Sequence, residues 1–406
     1  MRVPRTVLVG AGPAGAALAY LLARRGQRVT LVERQTDFER EFRGEVLMPS
    51  GIDAFRQMGL GDAFAALPQA RPTLLDLHLD GRPPRRLALP DFVDPGPRMV
   101  SQPALLEMLI EQAGAFPGFR FLRGRTATDL LWEDGRVAGV ALRGEGREEL
   151  RADLVLGTDG RASVLRRKAE LDADREDEAF DVIWFKVPLP PAPGSREAVQ
   201  VFVRPGQACL AFPAFDERLQ VAWIIPKGSY GDLKKRGIEA WLDRIAAQLG
   251  PELGAHVLGH REALEHPFVL DVVCFALERW HRPGLLLLGD ACHPMSPVGG
   301  QGLNIALRDA LVAANHLVPL LEKGGSPAEL DAVAAAIQAE RQPEVAEVQR
   351  LQRMLPRLLF RRGFGVRVLL ALGSLALHLP RLQRRMRPPA VTRTFLDGVS
   401  RVELRV

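Results

Sequence analysis

Cysteine is scarce in this 406-residue sequence: Cys209, Cys274 and Cys292 are widely spaced and odd in number. That excludes a disulfide framework and a cysteine-based zinc site, and it fits a protein of a reducing compartment. No stretch reaches the roughly 18 consecutive apolar residues that crossing a bilayer requires. The apolar run after Arg2 and Arg5 is too short for the core of a signal peptide, so a cytoplasmic location is expected. Acidic residues are missing altogether from Val348 to Leu396, where eleven arginines stand. The net charge of +5 therefore belongs to this segment, and the rest of the chain is mildly acidic. An acidic body argues against nucleic acid as a partner, whereas the basic tail suits an anionic surface or another protein. The remaining composition, 47% apolar and 25% charged, is that of an ordinary globular protein. The length suits two to three domains or one large composite domain.

The chain opens with a phosphate cradle. Thr6–Val9 reads as a buried strand, Pro13–Arg25 as a helix, and Arg28–Val32 as a second strand ending at Glu33, with Gly10-Ala11-Gly12-Pro13-Ala14-Gly15 at the first turn. Gly10 permits the tight turn, Gly12 lets the backbone approach a pyrophosphate, and Gly15 lets helix and strand pack closely. Glu33 stands 18 residues beyond Gly15, where its carboxylate can bind both ribose hydroxyls. The same charge repels a 2′-phosphate, which leaves FAD or NAD.

Two distant segments decide between them. Leu154–Gly157 reads as an apolar strand followed by Thr158-Asp159-Gly160-Arg161-Ala162-Ser163-Val164-Leu165-Arg166. Leu285–Leu288 reads as another, and Gly289-Asp290 follows it. The chain then turns through Pro294 and Pro297, and Gly299-Gly300-Gln301-Gly302-Leu303-Asn304 opens a helix carrying Asp309. An aspartate at a strand end can accept hydrogen bonds from a polyol, and bare N–H groups at a helix start can face an electron-rich ring edge. FAD satisfies both; a strand-turn-helix whose glycines merely allow close packing is the plainer alternative.

Together the three motifs resemble the class A flavoprotein monooxygenases, the para-hydroxybenzoate hydroxylase-like group, from Val7 to about Gln349. The resemblance implies an α/β fold: a Rossmann-like FAD-binding domain interleaved with a mostly antiparallel β-sheet substrate domain, plus C-terminal helices. The FAD-binding parts are expected at 1–72, 101–178 and 276–348. The substrate domain is expected at 73–100 and 179–275, and the basic helical tail at 349–406. The resemblance assigns Gly10, Gly12, Pro13, Ala14 and Gly15 to the ADP part of FAD. It places Asp159 and Gly160, with Ser163 and Arg166, by the pyrophosphate and links them to NAD(P)H use. Gly289 and Asp290 fall to the ribityl chain. Pro297, Gly299, Gly300, Gly302, Leu303 and Asn304 fall to the isoalloxazine ring. Arg34 is expected over the adenine ribose, while Arg43 and Gln102 are expected to reach the cofactor; for each, a solvated surface position is the alternative.

Between the second and third motifs, Phe180–Val187, Val199–Arg204, Ala208–Pro213 and Leu219–Ile225 read as strands of the sheet that roofs the substrate. Asp232–Leu249 reads as one amphipathic helix. The aromatics Trp184, Phe202, Phe212, Phe215 and Trp223 suit an apolar, aromatic or polycyclic substrate, although most are expected to be core. His293 is expected in a structural hydrogen bond, Cys292 as a small hydrophobe. No residue stands out as a catalytic nucleophile, and no metal is implied. In this family the cofactor carries the chemistry: NADPH or NADH reduces the flavin, which meets O2 to form a C4a-hydroperoxide, and hydroxylation or epoxidation of the kind found in secondary metabolism follows. A separate flavin reductase is a compatible partner.

Rival readings are a flavin-dependent halogenase, a prenyl reductase and a non-catalytic flavin-binding protein. The halogenase signature Trp-x-Trp-x-Ile-Pro is broken here, since Val221 stands at its first tryptophan in Val221-Ala222-Trp223-Ile224-Ile225-Pro226. The lysine expected early in a halogenase is also missing, because the earliest lysine is Lys168. In the tail, Val368–Leu379 is an apolar run flanked by arginines. A helix packing on the FAD domain is preferred there over a peripheral membrane contact.

Overall fold

A computed structural model describes residues 4–39, 45–80, 82–89, 95–144, 146–171, 176–192, 194–235, 237–264, 267–359 and 390–406. Its organising element is a six-stranded sheet. From one edge the strands are His281–Arg282, Leu285–Leu287, Leu154–Gly157, Arg5–Val9, Arg28–Glu33 and Phe119–Arg123. All neighbours are parallel except the first pair, which is antiparallel. The central strands are apolar throughout because helices cover both faces. Helix Pro13–Arg24 is buried along ten consecutive residues, and its run of alanines lets it lie close against helix Gln301–Glu322. The three expected motifs thus end neighbouring parallel strands on the same, carboxyl side of the sheet, where open α/β sheets place their ligands.

The second layer is a seven-stranded sheet in the order Phe268–Leu270, Phe180–Pro188, Arg218–Pro226, Gln207–Pro213, Ala198–Arg204, Leu74–Leu79, Arg85–Ala88. It is antiparallel apart from the Ala198–Arg204/Leu74–Leu79 pair, which is parallel. Strand alternation gives it two unlike faces. Ile183, Phe185, Phe202, Cys209, Val221 and Trp223 pack against Trp241 and Ile245 of helix Ile238–Leu249. Val182, Trp184, Leu210, Ala222 and Ile224 turn the other way and meet Val298, at the third motif. A three-stranded meander spans Thr126 to Arg151, and a small sheet joins Val46–Leu47, Arg98–Val100 and Gln69–Ala70.

The single helix expected over Asp232–Leu249 is in fact two, Tyr230–Lys235 and Ile238–Leu249. Gly237, at φ +86°, breaks the helical path between them, and the second helix starts afresh with its apolar stripe on the sheet. Helix Pro327–Leu359 runs through Gln349 without a break. The apolar run Val368–Leu379 lies outside the described residues, so its helix and any membrane contact do too. Beyond it, helix Ala390–Asp397 and the last residues return to the body, where Phe395 and Val402 are buried. No described helix is long and apolar enough to cross a membrane.

Candidate active site

The first turn is built by close approach. Gly10 donates its N–H to Val32 O (2.7 Å) at φ +101°, and a Cβ there would stand 2.4 Å from Thr158 O. A Cβ on Gly15 would stand 2.0 Å from Gly10 O, so both positions admit only glycine. At Gly12 nothing lies within 4 Å of the corresponding point: this part of the turn faces open space. Pro13 occupies the first position of the helix, Ala14 is buried, and among the described residues no side chain caps the helix start. Its N–H groups and dipole are therefore directed at whatever enters beside Gly12. Glu33 is buried at this turn, accepting Ala11 N–H at Oε2 (2.8 Å) and Gln35 N–H at Oε1 (3.0 Å). Arg34 is exposed, Gln102 is the half-buried first residue of helix Gln102–Gly114, and Arg43 lies outside the described residues.

The second motif is largely turned inward. Asp159 accepts the Ser163 hydroxyl (2.6 Å) and the N–H groups of Val164 (2.7 Å) and Leu165 (3.2 Å), which starts helix Val164–Lys168. Burial pushes its carboxyl above the ordinary range despite these bonds. Arg166 is buried over the Phe275 ring and donates to Ala291 O and Arg161 O, both at 2.9 Å. It staples the second motif to the third. Gly160, at φ +78°, is the open position of this segment.

In the third motif Asp290, about one-third exposed, pairs with Arg161 Nε at 3.1 Å across the mouth between the two segments. Gly289 donates its N–H to Asp309 Oδ2 (3.1 Å). Pro297, Gly299 and Gly300 form a half-buried loop, with Gly299 and Gly300 at φ +73° and +61°, and Gly302 is half-buried in the first turn of helix Gln301–Glu322. Leu303 and Asn304 lie behind it. Asn304 Nδ2 donates to Gly300 O (2.7 Å), and its Oδ1 accepts Met48 N–H (2.9 Å), so this side chain ties the loop to strand Val46–Leu47.

Sequence reasoning missed three features. The first is Phe395, whose ring lies 3.0 Å from a Cβ built on Gly299; Gln301 fixes it by donating to Phe395 O (2.8 Å). The second is a buried charge cluster behind the third motif. His293 Nε2 lies 2.8 Å from Asp309 Oδ2, and Arg341 Nε lies 2.7 Å from Asp309 Oδ1. Arg341 also pairs with Glu344, which Arg308 holds at 2.6 Å and to which Val399 donates its N–H (2.8 Å). Burial alone would raise the Asp309 carboxyl, but His293 and Arg341 outweigh it and hold it at about 2. His293 thus lies beside a carboxylate, but neither of its ring nitrogens completes the hydrogen bond expected of it. The third feature joins Glu45, Lys186 and Asp216, with Lys186 Nζ 3.3 Å from Glu45 Oε1 and 2.8 Å from Asp216 Oδ2. Only the spacing of Arg341 and Glu344 on one helical face hinted at any of these.

Residues 4–350 match the model of the FAD binding domain family. The chain is 38% identical over 370 residues to a 6-methylpretetramide 4-monooxygenase of Streptomyces rimosus, covering 88% of this chain and 84% of that one. The chain belongs to the class A FAD-dependent monooxygenases. A kynurenine 3-monooxygenase of Stenotrophomonas maltophilia is 30% identical over 371 residues, covering 85% and 77%. Among solved structures, the p-nitrophenol 4-monooxygenase PnpA of Pseudomonas putida superposes with a TM-score of 0.81 at 19% identity, covering 98% and 99%.

This monooxygenase has the features an FAD requires: a turn open only at Gly12, an uncapped helix start beside it, and a carboxylate at the next strand end. The aromatics of the second sheet divide by face. Trp184 and Phe212 are in edge contact at 6.2 Å on the side of the Val298–Gly300 loop. Phe202 and Trp223 belong to the core behind, and Phe215 stands 4.6 Å from Lys186 Nζ at the hairpin end.

Proposed function

We propose that this monooxygenase hydroxylates or epoxidises an apolar aromatic or polycyclic small molecule lying between the second sheet and the Pro297–Gly302 loop, with NADPH or NADH as reductant. The observation that carries this reading is the sheet face of Val182, Trp184, Leu210, Ala222 and Ile224, which is apolar, partly aromatic and meets Val298 at the loop. The name of the Streptomyces relative, which specifies a 6-methylpretetramide, supports the substrate class. FAD, when bound, supplies the electron transfer and the activation of O2.

The chain's own residues then bind, orient and exclude water. The N–H groups beside Gly12 take the pyrophosphate, and Glu33 takes the adenine ribose. Asp290 exchanges Arg161 for hydroxyls of the ribityl chain. Gly160 leaves the backbone of the second motif free to approach. The N–H groups of Gly299, Gln301 and Gly302 stabilise negative charge on the ring they face, while that of Gly300 is donated to Pro297 O (3.0 Å). Phe395 covers the loop from outside and, with the apolar sheet, keeps water from the reacting atoms.

Anaerobic visible spectra of the FAD-loaded protein, before and after NADH or NADPH, test the redox part. Oxygen uptake with a hydroxylated anthraquinone, read with the product mass, tests the rest. Bleaching by one nicotinamide cofactor and a product heavier by one oxygen atom are expected. Failure to load FAD, or reduced enzyme that only releases peroxide with every apolar aromatic tried, would overturn the reading.

A further inference from the structure

On the sheet face that meets the loop, one row carries two polar side chains, Lys186 and Gln220, beside Phe212. Strand register sets Lys186 opposite Gln220 and Gln220 opposite Phe212. The adjacent row, Trp184, Ala222 and Leu210, is apolar and lies about 7 Å away, two residues along each strand. Glu45 completes the polar row from the first domain. Its neighbour Val46 lies against Gly300, where a Cβ would stand 3.3 Å from the Val46 Cβ. The row therefore stands beside the Val298–Gly300 loop, where the proposed function puts the reaction.

Two oxygens of this row have no hydrogen-bond partner among the described residues: Gln220 Oε1 and Glu45 Oε2. Both side chains are buried, at 1% and 5% exposure. A buried polar atom without a partner is costly, so two in one row of a binding face mark places that a ligand fills. Their demands differ. The amide oxygen of Gln220 can only accept. Burial pushes the Glu45 carboxyl up to about 8, against the opposing pull of Lys186, so at neutral pH it carries a proton and can donate. A hydroxyl can answer both, whereas an ether and a carboxylate have nothing to donate to Gln220 Oε1.

We propose that Gln220 and Glu45, the latter held in place by Lys186, are the specificity-determining pair that takes a ring hydroxyl of a phenolic or enolic substrate. The flat apolar part of that molecule lies over Trp184, Ala222 and Leu210, and its hydroxyl edge reaches the polar row. Lys186 is a positioning residue, since its ammonium fixes Glu45 Oε1 and leaves Oε2 for the ligand. This inference rests on the substrate class of the preceding section.

The test uses the full chain loaded with FAD and three probes: 2-hydroxyanthraquinone, 2-methoxyanthraquinone and anthraquinone-2-carboxylate. Dissociation constants are read from quenching of tryptophan fluorescence, to which Trp184 contributes. The hydroxy probe is expected to bind about 10- to 100-fold more tightly than the methoxy probe, the range for a hydroxyl that completes two buried hydrogen bonds. In Gln220→Met and Glu45→Met, each checked for retained FAD and circular dichroism, that ratio is expected to fall towards one while methoxy binding holds. A merely structural role would weaken all three probes together. Equal binding of hydroxy and methoxy probes by the wild type overturns the proposal and leaves the substrate class standing. So does a preference for the carboxylate, or a ratio that survives Gln220→Met. Binding of none of the three overturns the substrate class and this inference with it.

Discussion

Replacing Arg341 with methionine removes one guanidinium from the cluster behind the third motif while keeping most of the side-chain volume. Arg341 is fully buried and pairs with both Asp309 and Glu344. Breaking a buried pair from one side costs about 3–5 kcal/mol, because the remaining charge is stranded without water. Here neither carboxylate is wholly abandoned: Arg308 still holds Glu344, and His293 still faces Asp309. The expected loss is therefore at the lower end, about 3 kcal/mol. The exposed pair Arg350–Glu347, further along the same helix, provides the comparison. Arg350→Met is expected to cost far less, since solvent screens that pair. Urea denaturation followed by circular dichroism measures both. FAD affinity is expected to weaken in Arg341→Met alone, because Asp309 holds the Gly289 N–H at the start of the third motif. A loss for Arg341→Met no greater than that for Arg350→Met would refute the reasoning.

Other expectations follow from single positions. Gly10→Ala brings a Cβ to 2.4 Å from Thr158 O and should yield protein that is unstable or free of flavin. Gly12→Ala meets nothing and should fold normally while binding FAD at least tenfold more weakly; unchanged affinity would remove the pyrophosphate from this turn. Glu45 holds its proton more tightly folded, at about 8, than at its ordinary value of 4.5. Stability should therefore fall as pH rises from 4.5 towards 8, by up to about 1.4 kcal/mol per pH unit, and Glu45→Gln should flatten that slope. Phe395→Ala should cost about 3 kcal/mol in docking of the C-terminal segment and raise the peroxide released per NAD(P)H oxidised; unchanged peroxide would mean the ring does not shield the loop.

Much of the fold was legible because it obeys local rules. The strands Leu154–Gly157 and Phe180–Pro188 follow from apolar runs between turn residues, and the first helix follows from Pro13 at its start and its alanine-rich body. Gly10 and Gly15 were legible for a similar reason: a backbone approach that excludes a Cβ leaves glycine as its trace. The inward turn of Asp159 and Asn304 was not. A carboxylate or amide in a motif looks the same whether it meets a ligand or caps its own helix. The break at Gly237 was missed because helical sequence lies on both sides of it.

The sequence by itself therefore determined the cofactor and the family, since each of the three motifs is a short run of residues that carries its own signature. Tertiary structure alone decided what lies around the reacting loop. Glu45 and Lys186 are 141 residues apart, Gln301 and Phe395 are 94 apart, and Arg308 reaches Glu344 across 36. Pairings at such separations carry no periodicity or spacing. They exist because the folded chain removes water from both partners at once, and that desolvation makes a charge or an unfilled hydrogen bond at these positions consequential.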